Sequence, residues 1–238
     1  MRKTALLAVA LLGFCGDPAL AQHPGYDHPS TAGEITPRAY EEALEAVRVR
    51  QGMLKIGWCV AGRHPREAQA LVLDATKLSN EFVKKILDSD CLLVAVQGSE
   101  TVTLTTHPPD VRYAVAEALI QRTLARFNPA EIRNAAPLSV PSLSSPEAAR
   151  VGAYIALDAF GECVVRANAH GSWMLLKTRP GRKEETDALQ ALMPSFRGCL
   201  TQGRDFRADV TTLRGTIAVN YYRLATAPKL PSKPERGA

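Results

Sequence analysis

Four cysteines constrain this chain more than anything else in it: Cys59, Cys91, Cys163 and Cys199. They fall into two pairs with the same local signatures. Each pair opens on Gly-x-Cys-Val and closes on Cys-Leu: Gly57-Trp58-Cys59-Val60 with Cys91-Leu92, and Gly161-Glu162-Cys163-Val164 with Cys199-Leu200. A structural zinc site wants close pairs of the C-x₂₋₄-C kind, and the wide spacing here contains none. An even count of cysteines in an exported chain reads instead as two disulfides.

Export is what the first residues imply. Arg2 and Lys3 form a short basic start, Thr4 to Phe14 is an apolar run, and Ala19-Leu20-Ala21 places small residues at −3 and −1. That is the full pattern of a secretory signal, with cleavage expected between Ala21 and Gln22. The run is too short to span a bilayer of about 30 Å as a helix, and no later segment is long and apolar enough to do so. The expectation is a protein that is not transmembrane once the signal is cleaved, periplasmic or secreted. The fifth cysteine, Cys15, leaves with the signal. Leu12 three residues before it gives a faint lipoprotein box, but Phe14 fills the position where that box requires a small residue.

The similarity of the two cysteine pairs extends along the chain. Thr36-Pro37-Arg38-Ala39 matches Ser145-Pro146-Glu147-Ala148, and Val111-Arg112 with Ala116 and Leu119 matches Leu213-Arg214 with Ala218 and Tyr221. The landmarks keep their order at offsets of roughly one hundred residues, as a tandem duplication would leave them. If each copy closes its own bridge, the pairing is Cys59–Cys91 and Cys163–Cys199, each worth about 3–4 kcal/mol on the chain-entropy account.

The fold class expected is mainly α, in two related disulfide-stapled helical units. Thr36 and Pro37 suit a helix start, with Tyr40, Leu44, Val47, Leu54 and Trp58 at helical spacing toward Cys59. Pro65 restarts a helix through Ala68, Leu71 and Val72, and Ser79 caps the next, which runs through Phe82, Val83 and Ile86 to Cys91. Val102 to Thr106 alternates in the manner of one short strand, before a helix from Val111 to about Phe127. In the second unit Ser145 caps a helix leading to Cys163. Arg179-Pro180-Gly181 is a break, and Lys183 to Thr201 is amphipathic, with Pro194 set to bend or split it and Gly203 to end it. Thr211 or Thr212 caps the last helix. The layout is then signal peptide 1–21, disordered leader 22–35, unit 36–127, a Pro- and Ser-rich linker 128–144, unit 145–226, and a disordered Pro-rich tail 227–238.

Cys163-Val164-Val165, Leu175-Leu176-Lys177-Thr178, Cys199-Leu200, Leu213-Arg214-Gly215-Thr216-Ile217-Ala218 and Tyr222-Arg223 make up a C-V-V, L-L-x-T, C-L, L-R-G-x-[IL]-A, Y-R pattern. This resembles uncharacterised exported proteins of proteobacteria. The resemblance covers about 65 residues of the second unit and implies no activity.

Motifs that carry chemistry are missing. There is no G-x-S-x-G elbow, H-E-x-x-H, phosphate-binding G-x-x-x-x-G-K-[ST] or dinucleotide G-x-G-x-x-G. His64, His107 and His170 sit at predicted loops or helix ends and read as surface histidines. His170 and Ser172 are too close in sequence for a nucleophile–base pair, and no orienting carboxylate can be assigned. Glu184-Glu185 suits the positive end of a helix. His23 and His28 near Gln22 have copper-binding chemistry, but the segment reads as a plain leader. Trp58 and Trp173 read as packing beside the bridges.

Arg112 and Arg214, at matching positions near helix starts, are the ligand candidates, with pairing to a carboxylate of the same unit as the plainer reading. A net charge of +5, +4 without the signal, calls for no nucleic-acid partner. No cofactor, metal or catalytic residue is assigned. The function expected is a non-enzymatic binding or structural role in the cell envelope, toward an envelope protein or small ligand. The alternatives are a small-ligand carrier using the groove between the units and an envelope hydrolase built from distant residues.

Overall fold

The structure, a computed structural model, describes residues 37–96, 107–139, 152–200 and 208–230. Thr36, the possible strand at Val102–Thr106, the Ser145 cap and Gly203 lie outside the described residues, as do the signal, the leader and the end of the tail. The described residues are mainly helical, without a strand.

Helix α1 is Pro37–Arg63. Its inner face is Ile56, Val60 and Ala61, flanking Gly57, so the helix is turned away from the expected Leu54–Trp58 stripe, and Trp58 stays 40% exposed. The turn follows from close packing on α5, Pro108–Thr123: a Cβ on Gly57 would overlap the Ala114 carbonyl. Only glycine lets two helix backbones come this near.

Pro65 opens α2, Pro65–Leu73, which buries Ala68, Leu71 and Val72. Ser79 caps α3, Asn80–Ile86, by accepting the Phe82 N–H. The expected run onward to Cys91 is interrupted. Asp88 accepts the Cys91 N–H and starts a separate α4, Ser89–Val96. Cys91 therefore lies in the first turn of a helix of its own rather than at the C-terminal end of α3.

Helix α5 is buried on every side from Val111 to Ile120, the signature of a central helix. The predicted linker is packed over its described part. Pro129–Asn134 forms a 3₁₀ turn with Ile132 buried. Ala135 then bridges Lys229 in antiparallel fashion, with the Ala136 N–H on the Pro228 carbonyl and the Leu230 N–H on the Asn134 carbonyl. The start of the predicted tail is thus tied down by backbone pairing.

The second half comprises α6, Gly152–Ala167; α7, Ala169–Lys177; α8, Lys183–Cys199; and α9, Val210–Thr226. Helix α8 runs through Pro194 as one element and ends at Cys199, short of Thr201. Asp209, two residues before Thr211, caps α9 by accepting the Thr212 N–H, and both threonines fall inside the helix; aspartate is the stronger cap of the two residue types.

The disulfides are Cys59–Cys91, joining α1 to α4, and Cys163–Cys199, joining α6 to α8. The first and last helices of each half cross at glycine. Gly57 lies two residues before its bridge cysteine and meets Ala114, two residues after Arg112. Gly161 lies two residues before its bridge cysteine and meets Thr216, two residues after Arg214. The halves are not separate bodies, however. Helices α5 and α9 pack together, with the Tyr113 ring on Gly215, and one apolar core runs through both halves.

Among the described residues no helix is long and apolar enough to cross a membrane.

Candidate functional site

Both arginines singled out by the sequence are buried, Arg112 at 1% and Arg214 at 2% exposure. Each reaches back to the last turn of the second helix in its own half. Arg112 donates from Nε to the Leu71 carbonyl at 3.1 Å and from Nη2 to the Val72 carbonyl at 2.9 Å. Arg214 donates from Nη1 to Leu175 at 3.0 Å and from Nη2 to Leu176 at 3.4 Å. A helix end leaves carbonyls without intrahelical donors, and a cation there also suits the negative end of the helix.

Each arginine also forks onto a carboxylate of the opposite half, and both of those carboxylate clusters draw in further residues. Arg112 forks onto Asp158 of α6, with both bonds at 2.9 Å. Arg223 of α9 shares that carboxylate at 3.1 Å. Arg214 forks onto Glu117 of α5 at 2.9 and 2.8 Å and reaches Glu185 of α8 at 3.2 Å. Glu185, 2% exposed, also accepts from Arg50 of α1 at 2.9 Å. Planar guanidinium forks suit carboxylates in this two-bond geometry. With these bonds made, neither Arg112 nor Arg214 is presented to a ligand. The partner of Arg112 comes from the opposite half rather than its own.

Electrostatics follow the contacts. Burial raises the pKa of Glu185, but the Arg50 hydrogen bond, the Gly181 N–H and the charges of Arg50 and Arg214 outweigh it. The carboxyl is held below its usual range. Burial works against the charge on Arg214, and Glu117 and Glu185 overcome it, so its pKa rises. For Arg223 burial prevails, helped by repulsion from Arg112, and its pKa falls despite Asp158. Burial pushes the Tyr113 hydroxyl up to about 12.

Glu185 corrects a second expectation. The helix-end reading suits the exposed Glu184, whereas Glu185 points inward, where it joins three helices and the turn before α8. That turn spans Thr178 to Arg182. The Thr178 hydroxyl and carbonyl both accept from Arg214, at 2.9 and 3.0 Å. The Gly181 N–H donates to Glu185 at 2.8 Å. Gly181 has φ 76°, and a side chain there would press on Val47 of α1, so the position demands glycine for conformation and for space.

Among the described residues, no contact brings a histidine to a carboxylate and a hydroxyl together. His64 faces Asp88 at 3.3 Å, but that carboxylate also holds Arg63 at 2.9 Å and the Cys91 N–H. His170 is exposed while Ser172 is buried, on different faces of α7. His107 is exposed at the start of α5. Cys59, Asp88 and Cys91 bring ligand-type atoms within 4.8 Å of one another, yet both sulfurs are spent in the bridge. His23, His28 and the Ala21–Gln22 junction lie outside the described residues. Trp58 carries Arg122 over its face, and half-buried Trp173 stacks on Tyr221.

No family model, curated protein or solved structure matches the chain.

Proposed function

We propose that this is an exported, non-enzymatic helical protein with a binding or structural role in the cell envelope, built from two copies of one stapled unit. The observation that carries this reading is where the chemistry-bearing residues go. The four cysteines close bridges within the halves, and the buried charges satisfy one another and helix ends. A scaffold that commits its ionisable groups this way holds a shape. An enzyme would keep such groups poised in a cleft. Disulfides persist in oxidising compartments, which agrees with the leader pattern at residues 1–21. The duplication is supported by the matched glycine crossings and by the two arginines, each on the last helix of its half and bonded to carbonyls at the end of the second. Between the halves, Tyr113 lies on Gly215 and Arg214 pairs with Glu117.

The experiment is expression of the whole chain in a Gram-negative host, followed by fractionation and intact mass. A product that begins at Gln22, lies outside the cytoplasm and has no free thiol is the expected result. A full-length cytoplasmic product with reduced cysteines would refute the reading.

A further inference from the structure

Resting on that envelope reading, we infer that the turn between α7 and α8 is a docking surface for an anionic phospholipid bilayer. The stretch Lys177-Thr178-Arg179-Pro180-Gly181-Arg182-Lys183 carries four cations, all exposed. Lys183 is partnered by Asp187 at 2.6 Å, but Arg179 and Arg182 have no side-chain partner among the described residues. Lys177 lies 5.1 Å from the Trp173 ring centroid, on the outer side of α7.

What separates this stretch from an ordinary charged loop is how it is held. Thr178 on one side and Gly181 on the other are bonded to Arg214 and Glu185, the centre of the buried ion network. Pro180 between them is buried. The Arg182 N–H closes the turn on the Arg179 carbonyl at 3.3 Å. The backbone carrying the Arg179 and Arg182 guanidinium groups is therefore fixed before any partner arrives, which lowers the ordering cost of binding.

The neighbouring side chains select a bilayer over a soluble polyanion. Met174, 49% exposed, lies one turn before Lys177 on α7, beside half-buried Trp173. Lys177, next to an exposed apolar side chain on the same helix and to an indole, and followed by the cations of the turn, matches the layered chemistry of a membrane surface, with phosphates outside and acyl chains beneath. Electrostatic attraction to such a surface supplies about a fivefold gain in affinity for each nearby Lys or Arg.

The test is sedimentation of the purified, disulfide-bonded protein with phosphatidylcholine vesicles and with vesicles containing phosphatidylglycerol. The difference between the two vesicle types is the quantity scored. Lys177→Ala/Arg179→Ala/Arg182→Ala is expected to reduce that difference by about a hundredfold while leaving the melting curve unchanged, since all three side chains are exposed. Lys84→Ala/Lys85→Ala/Arg126→Ala removes the same charge from elsewhere and is expected to change it only a few-fold. Equal losses in the two triple variants would reduce the effect to net charge and overturn the inference. So would a wild-type protein indifferent to phosphatidylglycerol, or one that binds soluble polyglutamate as tightly as vesicles. The N-terminal mass scores the export reading separately, so the two can fail independently.

Discussion

Arg214 and Glu117 meet as a two-pronged ion pair, Nε to Oε1 at 2.9 Å and Nη2 to Oε2 at 2.8 Å, across 97 residues of chain and between the two halves. Both side chains are buried. Removing one member strands a charge away from water, which costs about 3–5 kcal/mol in buried pairs, whereas replacing both with apolar groups is often close to neutral. Glu117→Ala is therefore expected to lower unfolding stability in urea by about 3 kcal/mol. Glu117→Met/Arg214→Met should cost clearly less than the two single changes added together. A Glu117→Ala variant within about 1 kcal/mol of wild type, the range of an exposed ion pair, would mean that the pair does not join the halves.

Glu185 gives the fold an acid limit. Its carboxyl is held below the ordinary range in the folded protein, so the unfolded chain takes up a proton at this site first as pH falls. The stabilisation is complete above the unfolded value of about 4.3 and is lost as pH drops toward the folded value. Glu185→Gln should be less stable than wild type at neutral pH and should show a shallower loss through that acid window. Urea midpoints measured for both proteins at stepped pH decide it. Parallel curves would show that Glu185 does not titrate as the contacts require.

The glycines at the helix crossings separate packing from propensity. An added Cβ at Gly57 overlaps the Ala114 carbonyl, and one at Gly161 lies 2.9 Å from the Thr216 carbonyl oxygen, so backbone would have to move. Gly57→Ala and Gly161→Ala are each expected to destabilise by about 1–3 kcal/mol, the usual cost of overpacking. Gly198 in α8 has nothing within 4 Å, so Gly198→Ala should stabilise by up to about 1 kcal/mol through helix propensity. The opposite signs are the test, read from thermal or urea unfolding. Three variants moving in the same direction would discredit the crossings.

Much of this was readable from the sequence, and the misses share a cause. Helix content, the Pro65 and Ser79 starts and both cysteine pairings follow from local chemistry and from the repeated signatures. The placement of Trp58 and the role of Glu185 do not, because each is decided by what packs from far along the chain: α5 on Gly57 in one case, Arg50 and Arg214 in the other. Two signals for the ion network were nevertheless present. Glu117 is the only acid in Val111–Ile120, and Asp158 is the only acid in Tyr154–Gly161. A lone carboxylate on an otherwise apolar helix is seldom buried unpaired, and two buried arginines stood at hand to pair with them. Their pairing across the halves could not be read, since nothing local fixes how α5 meets α9.

The two bridges make a closing prediction about the halves. Each closes a loop of 32 or 36 residues, and a loop of that size is worth about 4 kcal/mol on the chain-entropy account. Cys59 and Cys91 hold α1 to α4 in the first half, and Cys163 and Cys199 hold α6 to α8 in the second. One buried core runs through both halves, so loosening either half should weaken the same cooperative transition rather than melt one half alone. Cys59→Ser/Cys91→Ser and Cys163→Ser/Cys199→Ser are each expected to shift a single unfolding transition to lower urea, by similar amounts. Peptide mapping without reductant should recover the untouched bridge intact in each variant. Two resolved transitions in either variant would show that the halves fold independently, and a peptide joining Cys59 to Cys163 would refute the pairing within each half.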